Sequence, residues 1–281
     1  MRTLLLSMGL AAMAFTAAAD PDRIESRLAA EFDIPAANQG VGVDGDYFYA
    51  VNNHTITKHD KQTGAEVARW DGGKGGAIRH LDGAALIEGK LYGAQSNYPE
   101  WPMTSSIEVW NPETMEHVDS YSFGINYGSL TWLDRHDDAW WATFANYNRV
   151  FGRSAEAYGN KYNTMLVKLD DDFRFVEGWV FPEAIIDTFG DMSNSGGSWG
   201  PDGTLYITGH DEPEIYALRF PEAGSEMVWV GTIGLTNTGQ GFAWDRTADL
   251  PTVYAIIRDK KNGNKVTVNV VEGLNAASWN Q

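Results

Sequence analysis

Five near-copies of one short unit confine this chain to very few architectures. The unit is a polar residue, a glycine and then an alternating apolar run: "QGVGV" at Gln39, "DGAAL" at Asp82, "YGSLTW" at Tyr127, "SGGSW" at Ser195 and "QGFAW" at Gln240. Its glycines, Gly40, Gly83, Gly128, Gly196 and Gly241, stand 43, 45, 68 and 45 residues apart. After each comes a turn and a second strand: "DGDYFYAV", "EGKLYGAQ", "RHDDAWWATF", "PDGTLYIT" and "LPTVYAII". Period-two alternation rich in aromatic and β-branched residues, broken by Asp-Gly or Pro-Asp-Gly, marks β-hairpins. Third strands ("ITKHD", "IEVWN", "MLVKLD", "IYALRF", "VTVNVVE") and fourth strands ("EVARW", "VDSYSFG", "FVEGWVFP", "MVWVGTIG") follow in the same order. Four strands per unit of about 40–45 residues is the blade of a β-propeller.

The fifth unit stops after its third strand. "RLAAEFDIP", Arg27 to Pro35, resembles the fourth strands and precedes the first unit. The fold expected is therefore an all-β, five-bladed β-propeller whose N-terminal strand completes the last blade and leaves no lone edge at the seam. A six-bladed ring is the alternative, because the 68-residue interval carries about twenty extra residues, half a blade.

Residues 1–19 read as a secretory signal peptide: Arg2, an apolar run from Leu4 to Thr16, and the A-x-A site Ala17-Ala18-Ala19. That run is too short to span a bilayer. Residues 20–281 form the single propeller domain, expected in the periplasm or secreted, as a monomer with no membrane insertion. The chain has no cysteine, so an oxidising compartment would give it no disulfides. A net charge of −17 argues against nucleic acid as a partner, which requires a basic face.

In a propeller the loops at one end of the ring converge on the axis, where ligands are usually bound. Aligning the second strands on a shared aromatic (Tyr49, Tyr92, Trp141, Tyr206, Tyr254) and stepping four residues on gives Asn53, Ser96, Ala145, His210 and Arg258. The inner strands bring Gln39, Asp82, Tyr127, Ser195 and Gln240 to the channel rim, and His80 precedes the second unit. Two long loops on the same face open with Asn-Tyr: Asn97-Tyr98 in "SNYPEWPM", and Asn146-Tyr147 in "ANYNRVFGRSAEAYGNKYN". The second loop carries the extra length, together with Arg149, Arg153 and Lys161, and reads as a lid. "SNSGGSW", with Asn194, either presents backbone N–H groups to an anion or marks a tight approach of strands at the axis.

A His beside an Asp serves as a general base, and Arg grips a carboxylate bidentately. His210, Asp211 and Arg258, with His80 as a second base, suit proton abstraction beside a carboxylate, as in lyase or isomerase chemistry on a small anionic organic molecule. A glycosidase would need two facing carboxylates, drawn from Asp82, Glu100 and Asp211. A non-catalytic carbohydrate- or small-molecule-binding propeller is a third class. No cofactor is expected, with a divalent metal held by His80, Asp82 and His210 left open.

The stretches "QGVGVDGDYFYAVNNHTITKHD", "SNYPEWPMTSSIEVW", "GSLTWLDRHDDAWWATFANY", "MSNSGGSWGPDGTLYITGHDEPEIY" and "GQGFAWDR" resemble a family of exported bacterial β-propellers loosely labelled cycloisomerases, of the YVTN and lactonising-enzyme kind. The resemblance covers nearly all of the mature chain. It implies muconate-type lactonisation, by analogy with propeller lactonising enzymes that carry His and Arg at the mouth.

Overall fold

The computed structural model describes residues 21–150 and 159–279. The expected signal peptide lies outside the described residues, as do residues 151–158 of the expected lid, Arg153 among them. Five antiparallel four-stranded arrays surround one axis, each running from an inner strand outward. The inner strands are Gly40–Val43, His80–Ile87, Ser129–His136, Gly196–Trp199 and Ala243–Trp244. The protein is a five-bladed β-propeller, and the extra residues that raised a sixth blade are spread over two insertions. One is the 146–164 segment between the second and third strands of blade 3. The other, 181–195, lies between blades 3 and 4 and holds the helix Glu183–Thr188.

Alternating side chains from each blade feed two interfaces, so middle strands are buried on both faces, as in Ala139–Ala145. Each interface has its own apolar cluster. Val51, Ile56, Leu81, Leu91 and Trp110 join blades 1 and 2; Ile107, Leu130, Trp140 and Phe144 join blades 2 and 3. Trp132, Trp141, Trp199 and Leu205 join blades 3 and 4. Tyr206, Ile233, Trp244 and Val253 join blades 4 and 5. Val41, Phe48, Tyr254 and Val266 close the ring between blades 5 and 1.

The seam is closed as the sequence suggests. Arg27–Asp33 pairs antiparallel with Lys265–Val270, from Arg27 opposite Val270 to Asp33 opposite Lys265. The strand before it, Asp22–Glu25, adds in parallel to the outer edge of blade 4, opposite Gly231 to Gly234. Ser26 links the two, its Oγ donating to the Gly234 carbonyl at 2.7 Å. One N-terminal segment therefore tethers blade 4 to blade 5.

The repeated glycine is explained at the axis. A Cβ on Gly40 would stand 2.6 Å from the Asp82 carbonyl oxygen and 3.1 Å from Gly241 Cα; one on Gly196 would stand 2.7 Å from the Gln240 carbonyl oxygen. Inner strands meet backbone to backbone there, and only glycine leaves the room. Between its two alternatives, "SNSGGSW" is a tight approach at the axis. Blade 3 departs from the pattern. Gly83 faces Thr131 and Trp132, and the Trp132 ring fills the space beside Gly197, where a Cβ would stand 2.2 Å from it. The counterpart of polar-Gly in blade 3 is thus Thr131-Trp132, four residues beyond Tyr127-Gly128.

Candidate functional site

One residue immediately before each axial position lines a cavity at the mouth: Gln39, Asp82, Thr131, Ser195 and Gln240, one per blade. Its walls are completed by His80, Tyr98, Tyr147, Met192, His210, Arg258 and Lys260, around a volume of about 290 Å³. That is near the small end of the range for ligand pockets. Residues spread from position 39 to 260 converge because all five blades turn the same strand ends toward one axis.

On the wall formed by blades 4 and 5, three side chains act as one group. His210 Nδ1 lies 2.7 Å from Asp211 Oδ2. Arg258 Nη2 lies 3.4 Å from both His210 ring nitrogens and donates to the His210 carbonyl at 3.1 Å. Asp211 Oδ1 is 3.3 Å from the same Nη2. The guanidinium therefore lies against the imidazole while the carboxylate holds both. Burial draws the Arg258 pKa below its ordinary value, opposed by Asp211 and Asp82; arginine remains charged all the same. Gln240 supports the group from beneath, its Nε2 donating to the His210 carbonyl at 2.9 Å. Gln240 has φ 72°, and Gly239 beside it has φ 65° with no room for a Cβ against the His210–Asp211 peptide. The turn that presents His210 is packed at its backbone.

Across the ring, blade 2 supplies His80 and Asp82. His80 Nε2 is 3.1 Å from Asp82 Oδ1, and the His80 ring packs on Tyr98, with centroids 4.9 Å apart. Tyr98 meets Tyr147 at 5.5 Å, and both rest on the buried Met103 and Ala145. Desolvation raises both phenol pKa values, that of Tyr147 well above the ordinary range, so both stay neutral.

The remaining expected site residues lie off the cavity. Asn53 stands one layer back and accepts from Gln39 Nε2 at 2.8 Å. Asn97 braces its own loop, donating to the Pro102 carbonyl and accepting from the Thr104 N–H. Asn146 donates to the carbonyls of Tyr127 and Asn163. Asn194 is fully buried; it donates to the Gly196 and Thr208 carbonyls and accepts from Trp132 Nε1 at 2.8 Å. Its amide is used entirely in fastening blade 4 to blade 3. Tyr127 packs between blades 2 and 3 against Phe123, Phe144 and Phe175, which follows from the four-residue offset in its repeat. Asp211 is exposed and grips the rim. Lys161 is turned away, its Nζ donating to the Ile186 and Gly190 carbonyls beside the short helix.

Thr131, Met192 and Lys260 line the cavity without having been expected. Thr131 lay within the quoted repeat and was displaced by its offset, whereas Met192 and Lys260 sit on connections with no pattern to mark them.

Asp82 is the one carboxylate among the described residues lining this cavity. Glu100 lines a neighbouring groove with Lys74 and Arg79, and Asp211 faces a rim depression beside Glu212. The facing pair that a glycosidase requires is not formed by these three. Among the described residues, no three His, Cys, Asp or Glu side chains are grouped so as to hold a metal ion. No described helix is long and apolar enough to cross a membrane.

Fold and cavity together define an all-β propeller with a small polar pocket at its axis. No protein-family model matches the chain, and no curated protein does either. Among solved structures, a luciferin-regenerating enzyme aligns over 88% of this chain and 96% of its own, with 9% identity and a TM-score of 0.50. U3-55K aligns over 82% of this chain and 79% of its own, with 12% identity and a TM-score of 0.44. The WD40 repeats of RRP9 align over 83% and 79%, with 11% identity and a TM-score of 0.43. At such identity the first of these supports the β-propeller fold and nothing finer.

Proposed function

We propose that this chain is an exported, monomeric propeller that binds a small organic carboxylate in the axial cavity and moves a proton on it, in the manner of a lyase or cycloisomerase. The observation that carries this reading is the Arg258–His210–Asp211 group. A half-buried guanidinium at a cavity wall holds a carboxylate through charge-assisted hydrogen bonds. Asp211, taking the hydrogen bond of Nδ1, leaves Nε2 of neutral His210 as the basic ring position. His80, paired with Asp82, offers a second imidazole across the ring: as His210 takes a proton from the ligand, a protonated His80 gives one to the opposite face, and the two side chains reset by exchange with solvent. Arg258 then stabilises the negative charge that develops next to the carboxylate.

The test is a thermal-shift and calorimetric screen of the mature chain against carboxylic acids, lactones and neutral oligosaccharides. Carboxylates should stabilise the protein. Arg258→Lys should weaken the best of them about tenfold to a hundredfold, the value of hydrogen bonds to a charged group worth about 1.5–3 kcal/mol, because an ammonium lacks the planar fork. His210→Gln should abolish turnover and leave binding nearly intact. Stabilisation by neutral oligosaccharides alone, with Arg258→Lys silent, would replace this reading with a carbohydrate-binding propeller.

A further inference from the structure

Among the described residues lining this cavity, one buried oxygen has no donor. Asp82 Oδ1 has His80 Nε2 at 3.1 Å, and the Asp82 side chain is 7% exposed. Its Oδ2, also buried, accepts from no group among the described residues. Buried carboxylate oxygens rarely go unpaired, because losing water without gaining a donor is costly. The surrounding groups do not relieve it: the Tyr147 hydroxyl is engaged with Ser129, and His80 is spent on the other oxygen. The same Asp82 lines the axial cavity, in a blade that does not adjoin the blades of Arg258 and His210. A ligand held by Arg258 therefore has a lone hydrogen-bond acceptor waiting across the ring.

We propose that Asp82 Oδ2 accepts a hydroxyl of the ligand, so that the cavity selects hydroxy acids: carboxylate on Arg258, hydroxyl on Asp82. This rests on the carboxylate reading given above and narrows it to a substrate class. A hydroxyl fits better than an ammonium. Among the described residues, the lining holds two basic side chains, Arg258 and Lys260, against one carboxylate. A further positive charge in a partly desolvated space would be repelled by both, whereas a hydroxyl supplies one proton and adds no charge. A site built to accept from a hydroxyl also rejects the analogue that lacks it, because the acceptor is then left buried and unpaired. Asp82 in this role is a specificity-determining residue.

Isothermal titration of the mature chain with matched acids tests this. The pairs are lactate against propionate, β-hydroxybutyrate against butyrate, and gluconate against hexanoate, with alanine and β-aminobutyrate as the ammonium arm. In at least one pair the hydroxy acid should bind about tenfold to a hundredfold tighter than its deoxy partner. Asp82→Leu, which keeps the branched outline without an acceptor, should bring the two to within about threefold of each other. Because the wild-type pairs give the primary result, a poorly folded variant does not leave the question open. Equal affinity within every pair, while binding still depends on Arg258, overturns the hydroxyl assignment and leaves the carboxylate reading standing. Tighter binding of the amino acids, or a preference that survives Asp82→Leu, overturns it as well. Failure of every carboxylate to bind removes the carboxylate reading itself.

Discussion

His59 shows what burial does to an ionisable side chain in this ring. His59 is 4% exposed, its Nδ1 2.9 Å from the Gly64 carbonyl and its Nε2 2.8 Å from Thr57 Oγ1, its ring stacked on Phe48 at 5.0 Å. Burial pushes its pKa below the ordinary imidazole value, and the bond to Gly64 only partly opposes this. The unfolded chain therefore binds a proton near pH 6.5 that the folded chain refuses, and stability falls as pH drops below about 6.5 toward the lower folded value. The expected result is a Tm that declines through this acid range and declines less steeply in His59→Gln. Identical slopes in the two proteins would show that His59 does not titrate with folding. Lys161 Nζ is held by the Ile186 and Gly190 carbonyls and pairs with Asp187 at 3.2 Å. That is why Lys161, read from sequence as a mouth cation, belongs instead to the scaffold.

At the scale of strands and turns, the repeats are legible because each performs the same mechanical task. The shared aromatic of the second strands is held to its own turn: Tyr49 Oη donates to Asp44 and Tyr206 Oη to Asp202, both at 2.8 Å. Glycine recurs because inner strands touch at the axis. Where the pattern is an accident of neighbouring residues, as at Tyr127-Gly128, the alignment slips and Thr131 is missed; no local signal distinguishes the two glycine contexts. The N-terminal strands carry a second consequence. Phe32 packs on Phe48, with centroids 5.4 Å apart, and Ile24 packs on the cluster between blades 4 and 5. A chain beginning at Ala36 loses both and bares the edges of Lys265–Val270 and Val228–Gly234. It should aggregate or melt at least about 10 °C lower, at roughly 2–4 °C per kcal/mol for a domain of this size. An unchanged Tm would contradict the closure.

For the molecule as a whole, the ring was readable from sequence and the cavity only in outline. Stepping along aligned strands brings His210 and Arg258 to one wall, and the structure places them in contact. The same step yields Asn53, Ser96 and Ala145, which the fold spends on support, because periodicity locates a strand end without saying whether its side chain faces the axis or the next blade. The opposite mouth supplies a rival. There, a cavity of about 300 Å³ has more apolar walls, with Leu86, Trp132 and Phe242, and Arg246 at its rim already bonded to Asp134 at 2.6 and 2.7 Å. Asp134 also accepts from Ser198 Oγ and the Trp199 N–H, so that arginine is committed to bracing blade 5 against blade 3, whereas Arg258 faces an open cavity. The direct test is a crystal structure of residues 20–281 with the tightest-binding carboxylate from the screen. The carboxylate should lie within hydrogen-bond distance of the Arg258 guanidinium, in the space bounded by His210, His80 and Asp82; density beside Arg246 at the opposite mouth, with the axial cavity holding solvent alone, would contradict the account.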